Sequence, residues 1–112
     1  MINKFKVAFL GLKSSFLDKS ILLQMILGIV TIIVFNYLKI SYLEWLAVII
    51  LIGVVIMAEI FNTCIERICD LYDSKFNQKI KYIKDLSSGG VLLICIFAAA
   101  VAIIIIIKHI GG

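Results

Sequence analysis

Residues 43–65 read LEWLAVIILIGVVIMAEIFNTCI. At about 1.5 Å per residue this run is about 35 Å long as a helix, enough to cross about 30 Å of hydrocarbon. It is too long and too continuous for a strand, and a backbone in lipid must satisfy its own hydrogen bonds, which a helix does. Its last third carries Glu59 and Asn62. Polar groups at that depth are costly and usually functional. One stretch therefore announces both a membrane span and a polar patch inside it.

Two more apolar runs, residues 21–38 and 89–107, have comparable length. The chain of 112 residues is 63% hydrophobic and 16% charged, contains no proline, and has a mean hydropathy of +1.18. Soluble domains are about 45–50% apolar and about 25% charged, so a soluble monomer could not cover this surface. Disorder, which needs low hydrophobicity and high charge, is excluded too. The length allows one domain, residues 1–112. The expected architecture is an all-α integral membrane protein with three transmembrane helices.

Lysines orient it. Lys4, Lys6, Lys13 and Lys19 precede the first span, and Lys75, Lys79, Lys81 and Lys84 lie in the segment 70–85 between the last two. The turn after the first span holds only Lys39, and the tail only Lys108 with His109. The positive-inside rule then puts the N-terminus and the 70–85 segment in the cytoplasm and the C-terminus outside, with Tyr42 and Trp45 at the outer interface. The net charge of +4 reads as topogenic rather than as a nucleic-acid footprint. His109 reads as a solvated tail residue. The charged N-terminal segment lacks a signal-peptide cleavage pattern. Within it Phe5, Phe9, Leu12 and Phe16 follow helical spacing, which predicts an amphipathic surface helix over residues 3–17 lying in the inner interface. Cys64, Cys69 and Cys95 form no metal or disulfide pattern and read as small packing residues.

The polar residues after the apolar part of the second span fall at Glu59, Asn62, Glu66, Asp70 and Asp73. At 3.6 residues per turn all five share one helical stripe, with Glu59 about 10 Å deeper than Glu66. Asn62 is satisfied as interhelical glue and the outer acids as solvated groups. A carboxylate at the depth of Glu59 gains nothing structural there, which points to function. Oxygen-only ligands of this kind suit Mg²⁺, which keeps several waters and shares substrate phosphates. Lys84-Asp85, followed by Leu86-Ser87-Ser88-Gly89-Gly90, offers a phosphate a point charge and accessible backbone at a helix start. Stacked intramembrane carboxylates also suit an ion or proton pathway, and a non-catalytic assembly subunit is a further reading.

Residues 59–70, Glu-Ile-Phe-Asn-Thr-Cys-Ile-Glu-Arg-Ile-Cys-Asp, resemble the signature of the prokaryotic diacylglycerol kinase family, which includes the undecaprenol kinases of Gram-positive bacteria. Lys84-Asp85 with the small residues and Val91-Leu92 resembles the family's second block at the right separation. The resemblance covers nearly the whole chain. It implies ATP-dependent phosphorylation of a membrane lipid alcohol by a homotrimer in the bacterial cell membrane, with Mg²⁺ as cofactor and composite sites between subunits. On that resemblance Glu59 is the general base and touches the lipid hydroxyl, Glu66 binds the metal, and Asn62 and Asp70 support the site. Lys84 and Asp85 contact the nucleotide, and Ser88 falls near the lipid. The family's second metal ligand belongs near the start of the first span, where Asp18-Lys19-Ser20-Ile21-Leu22-Leu23 stands and Asp18 supplies the acid. Both metal ligands, Asp18 and Glu66, then also face the nucleotide, and Asn77 falls in a stretch that contacts it. The motifs admit undecaprenol or diacylglycerol as acceptor, and the short, lysine- and isoleucine-rich chain leans toward undecaprenol.

Overall fold

The computed structural model describes residues 2–73, 75 and 77–111. Among these residues there are four helices: α1 (Ile2–Ser15), α2 (Lys19–Leu38), α3 (Tyr42–Tyr72) and α4 (Gln78–Gly111). The last three are each long and apolar enough to cross a membrane. All regular structure among the described residues is helical, as the apolar runs require.

Each helix end has a local cause. Ser14 and Ser15 bond back to the carbonyls of Leu10 and Leu12, and the N–H groups of Phe16, Leu17 and Asp18 close tight turns onto residues 13–15. The chain thus leaves α1 at Ser15 rather than at 17, and Phe16 falls outside the helix. Asp18 then caps α2, its Oδ1 accepting from the Ser20 N–H at 3.1 Å. At the other end of α2, Lys39 takes the left-handed conformation at φ 54° and reverses the chain. Ser41 and Glu44 form a capping box at the start of α3: Glu44 Oε1 accepts from the Ser41 N–H at 2.8 Å, and Ser41 Oγ from the Glu44 N–H at 3.3 Å.

The two long helices exceed the expected spans. The segment 70–85, expected as a polar connection, is mostly helix, and only residues 73–77 join α3 to α4. Hydropathy reports where a helix leaves lipid, not where its backbone stops, and no glycine or proline interrupts residues 66–88. The break comes from two side chains that bond their own backbone: Asp73 Oδ1 accepts from the Lys75 N–H and Asn77 Oδ1 from the Lys79 N–H, both at 2.9 Å. Asp73 sits in extended conformation at the end of α3, so it departs from the stripe predicted for it.

α3 is the central helix. α2 and α4 each pack against it antiparallel and barely meet each other. The two leave an apolar groove of about 320 Å³ whose lining includes Gln24, Gly28, Thr31, Val55, Cys95 and Ala98. A Cβ on Gly28 would lie 3.0 Å from Ile52 Cγ2, so this glycine sets how closely α2 approaches α3. One buried apolar cluster is Phe35, Ile40, Val48 and Ile105, with Trp45, Val101 and Ala102 packed against it, while Ile21, Val55, Cys69 and Ile80 are buried elsewhere along the helices. The cluster lies where α2 ends, α3 begins and α4 ends. Trp45 is thus half-buried in the fold, while Tyr42 is exposed. The last turn of α4 closes on the same end: His109 Nε2 is 2.8 Å from Glu44 Oε1, and Lys108 Nζ is 3.6 Å from Glu44 Oε2. His109 is therefore a tether rather than a solvated tail residue, because the Glu44 carboxylate offers a partner at the helix end where a cation is favoured. α1 buries none of its residues.

Candidate active site

The polar groups gather at the opposite end, where α2 begins, α3 ends and α4 begins. A helix that is apolar through Met57 and Ala58 can bury a carboxylate only on the face that meets its neighbours. Glu59 and Asn62 occupy that face, each 7% exposed. Glu66 follows half-buried and Asp70 exposed, so the stripe runs from the interior to the surface as its spacing requires.

Asn62 sits at the centre of a chain of hydrogen bonds. Its Nδ2 donates to Glu66 Oε1 at 2.9 Å, and its Oδ1 accepts from Ser87 Oγ of α4 at 2.7 Å. One turn outward Lys84 of α4 donates to Asp70 of α3, joining the two helices again. Lys84 lies before the apolar run 89–107, and this hydrogen bond holds its ammonium above the ordinary lysine range. Lys81 pairs with Asp85 at 2.6 Å along α4. Asp70, Lys75, Asn77, Lys81, Lys84 and Asp85 line an open cleft of about 340 Å³ beside these pairs. A cleft lined by lysines together with acid and amide side chains suits a polyphosphate carrying a cation better than it suits an apolar ligand.

Asp18 approaches from α2. Its Oδ1 caps the helix, and its Oδ2 lies 3.5 Å from Arg67 Nη2. Glu66 meets Asn62 through Oε1, and Oε2 takes no part in that bond. Among the described residues no three His, Cys, Asp or Glu side chains form a preformed cage. An oxygen donor set of this kind fits Mg²⁺, which is held by one or two carboxylates and completed by water and phosphate oxygens.

Of the residues singled out in the sequence, Asn62 with Glu66 and Asp70 with Lys84 come together between α3 and α4, while Glu59 is buried deeper along the stripe and the exposed Asp85 borders the cleft. Asn77 borders the cleft, but its Oδ1 is engaged in capping α4, which leaves its Nδ2 for any ligand. Ser88 is exposed, and the hydroxyl that turns inward belongs to Ser87. Ser87 and Arg67 are the two residues sequence reasoning passes over. A signal for Ser87 exists: Ile80, Lys84, Ser87 and Val91 repeat at 3.6-residue spacing and mark the face of α4 that meets α3. Arg67 carries a simpler one, as the only arginine of the chain.

Three membrane-length helices, with a buried acid on the central one and a lysine of the next helix paired to an acid a few turns outward, define an integral membrane protein with a polar site at one end of its bundle. The family model described as prokaryotic diacylglycerol kinase matches residues 6–106. The chain belongs to that family. It is 36% identical over 66 residues to an undecaprenol kinase of Bacillus subtilis, covering 59% of this chain and 51% of that protein. It is 31% identical over 88 residues to a diacylglycerol kinase of Helicobacter pylori, covering 78% of this chain and 69% of that one. The match thus spans about half the length of the Bacillus relative and somewhat over two thirds of the Helicobacter one.

Proposed function

We propose that the protein is an ATP-dependent lipid kinase that transfers the γ-phosphoryl of MgATP to the hydroxyl of undecaprenol at the cytoplasmic face of the membrane, working as a homotrimer. The observation that carries this reading is the buried Glu59 and Asn62 on α3, continued outward by Glu66 and by the Lys84–Asp70 pair. Family membership supports the reaction class, and the Bacillus relative's name supports the acceptor.

Phosphoryl transfer asks little of a protein beyond positioning and charge neutralisation. Lys84 and Lys81 supply fixed positive charge to the phosphates in the cleft, and Asp85 and Asn77 border the nucleotide. Glu66, with Asp18 if it parted from Arg67, would hold Mg²⁺, which would supply charge neutralisation at the transferring group. Glu59, deeper in the span, accepts the proton of the lipid hydroxyl as that oxygen attacks phosphorus and ADP departs. Asn62 and Asp70 fix the two groups that touch the reactants, Glu66 and Lys84. Ser88, exposed at the head of the apolar run, faces the acceptor lipid. The depth of Glu59 suits an acceptor that stays in the bilayer while ATP arrives from water.

A diacylglycerol acceptor is the second reading, favoured by the longer match to the Helicobacter relative. The test offers purified protein MgATP with undecaprenol and diacylglycerol in parallel mixed micelles. Labelled phosphate in undecaprenol is the expected result, and label in diacylglycerol alone selects the second reading. Label in neither, with ATP-independent ion flux in liposomes, replaces the kinase with an ion pathway.

A further inference from the structure

Glu66 holds no proton donor of its own, so the group beside it must donate. The amide of Asn62 does so through Nδ2, at 2.9 Å. That orientation turns Oδ1 toward α4, where a second acceptor would be repelled and an alkyl group would leave the oxygen bare. Asn62 is 7% exposed, so water does not readily serve it. Ser87 Oγ lies 2.7 Å away and, facing an acceptor, must donate. Each bond therefore fixes the sense of the next: hydroxyl to amide oxygen, amide nitrogen to carboxylate. Among the described residues no fully buried side-chain nitrogen or oxygen is left without a partner.

We infer that Ser87 is a positioning residue: through the Asn62 amide it fixes the Glu66 carboxylate so that Oε1 is held and Oε2 is presented to a divalent cation. The relay crosses from α4 to α3, so it also couples the cation-holding acid to the helix that carries Lys84. Without the hydroxyl, the Asn62 amide gains by rotating its oxygen toward any other donor, and Glu66 loses its fixed partner. Partners behind a metal ligand commonly set metal affinity in this way. The inference rests on the reading of Glu66 as the cation-holding acid in the proposed kinase.

The test titrates Mn²⁺ alone, read by electron paramagnetic resonance, into the full chain in detergent micelles, without nucleotide or lipid. Ser87→Ala is expected to weaken Mn²⁺ binding about 2- to 10-fold, the range of one lost hydrogen bond. Ser87→Thr, which keeps the hydroxyl, restores most of it. In the Asn62→Ala background Ser87→Ala adds nothing, because the link is already cut. In ¹⁵N-labelled protein without metal, the Asn62 side-chain amide signal moves in Ser87→Ala and returns in Ser87→Thr. Unchanged Mn²⁺ affinity in Ser87→Ala overturns the inference, as does an equal loss in the Asn62→Ala background. A wild-type chain that binds no Mn²⁺ overturns it too. A chain that shows all the expected shifts yet phosphorylates neither lipid upholds the relay and removes the kinase reading.

Discussion

Arg67 Nη2 lies 3.5 Å from Asp18 Oδ2, so the only arginine of the chain ties the cap of α2 to the polar half of α3. Arg67 is largely exposed and Asp18 much less so, which leaves the pair screened on one side. Exposed pairs contribute about 0–1 kcal/mol. The arrangement keeps an acid near Glu59 and Glu66 without committing it to a metal.

That geometry separates two roles of Asp18. Asp18→Ala removes the cap and lowers stability by about 1 kcal/mol. Asp18→Asn keeps a capping oxygen, so thermal unfolding in detergent stays near wild type while the Mg²⁺ requirement of phosphorylation rises. Arg67→Ala changes stability by less than about 0.5 kcal/mol. Unfolding curves and Mg²⁺ titrations of the three variants decide between the cap and the ligand.

Glu59→Gln preserves shape but cannot take a proton. Turnover is expected to fall about 10²- to 10⁴-fold, with MgATP binding nearly intact. Rate measurements beside equilibrium nucleotide binding check both halves, and preserved turnover would remove Glu59 from the base role.

Glu66→Gln leaves the Asn62 amide a neutral neighbour in place of a charge. The Mg²⁺ concentration for half-maximal rate should rise at least about tenfold. A Mg²⁺ dependence identical to wild type excludes Glu66 as the metal ligand.

Lys84→Ala removes a charged donor from the cleft and should raise the KM for ATP about tenfold or more, with a smaller change in kcat. Because the Asp70 bond raises the Lys84 pKa, the ammonium stays charged through the neutral range and loses its proton only above the ordinary lysine value. The Lys84 contribution to ATP binding is therefore constant from about pH 7.5 to about pH 9.5. A steady fall in the wild-type to Lys84→Ala ratio across that window contradicts it.

Scarcity of charge makes much of this site readable. In a chain this apolar, Glu59, Asn62, Glu66 and Asp70 at helical spacing leave little room for a purely structural role, and Lys84 stands out for the same reason. Ser87 does not stand out, because its meaning depends on the register of α4 against α3, which no single-helix pattern contains. Ser88, one residue on, points elsewhere. Hydropathy misplaces the helix ends where side chains set them instead. Asp73 and Asn77 bend the chain by bonding their own backbone, so the polar connection shrinks to residues 73–77. Asp18 reads in sequence as an acid for metal, and the structure gives its two oxygens to a cap and to Arg67.

The buried cluster of Phe35, Ile40, Val48 and Ile105 sits far along the helices from Glu59 and Lys84, together with the Glu44 tether to Lys108 and His109. The bundle is thus fastened at both ends, there by apolar packing and at the polar end by the buried Ile21, Cys69 and Ile80 together with the Ser87–Asn62, Lys84–Asp70 and Arg67–Asp18 contacts. Both fastenings ride on the same three close-packed helices, so a change in helix spacing at one is transmitted to the other. Changes remote from the polar end, at Gly28 or Ile52 for instance, would alter the spacing of groups they never touch.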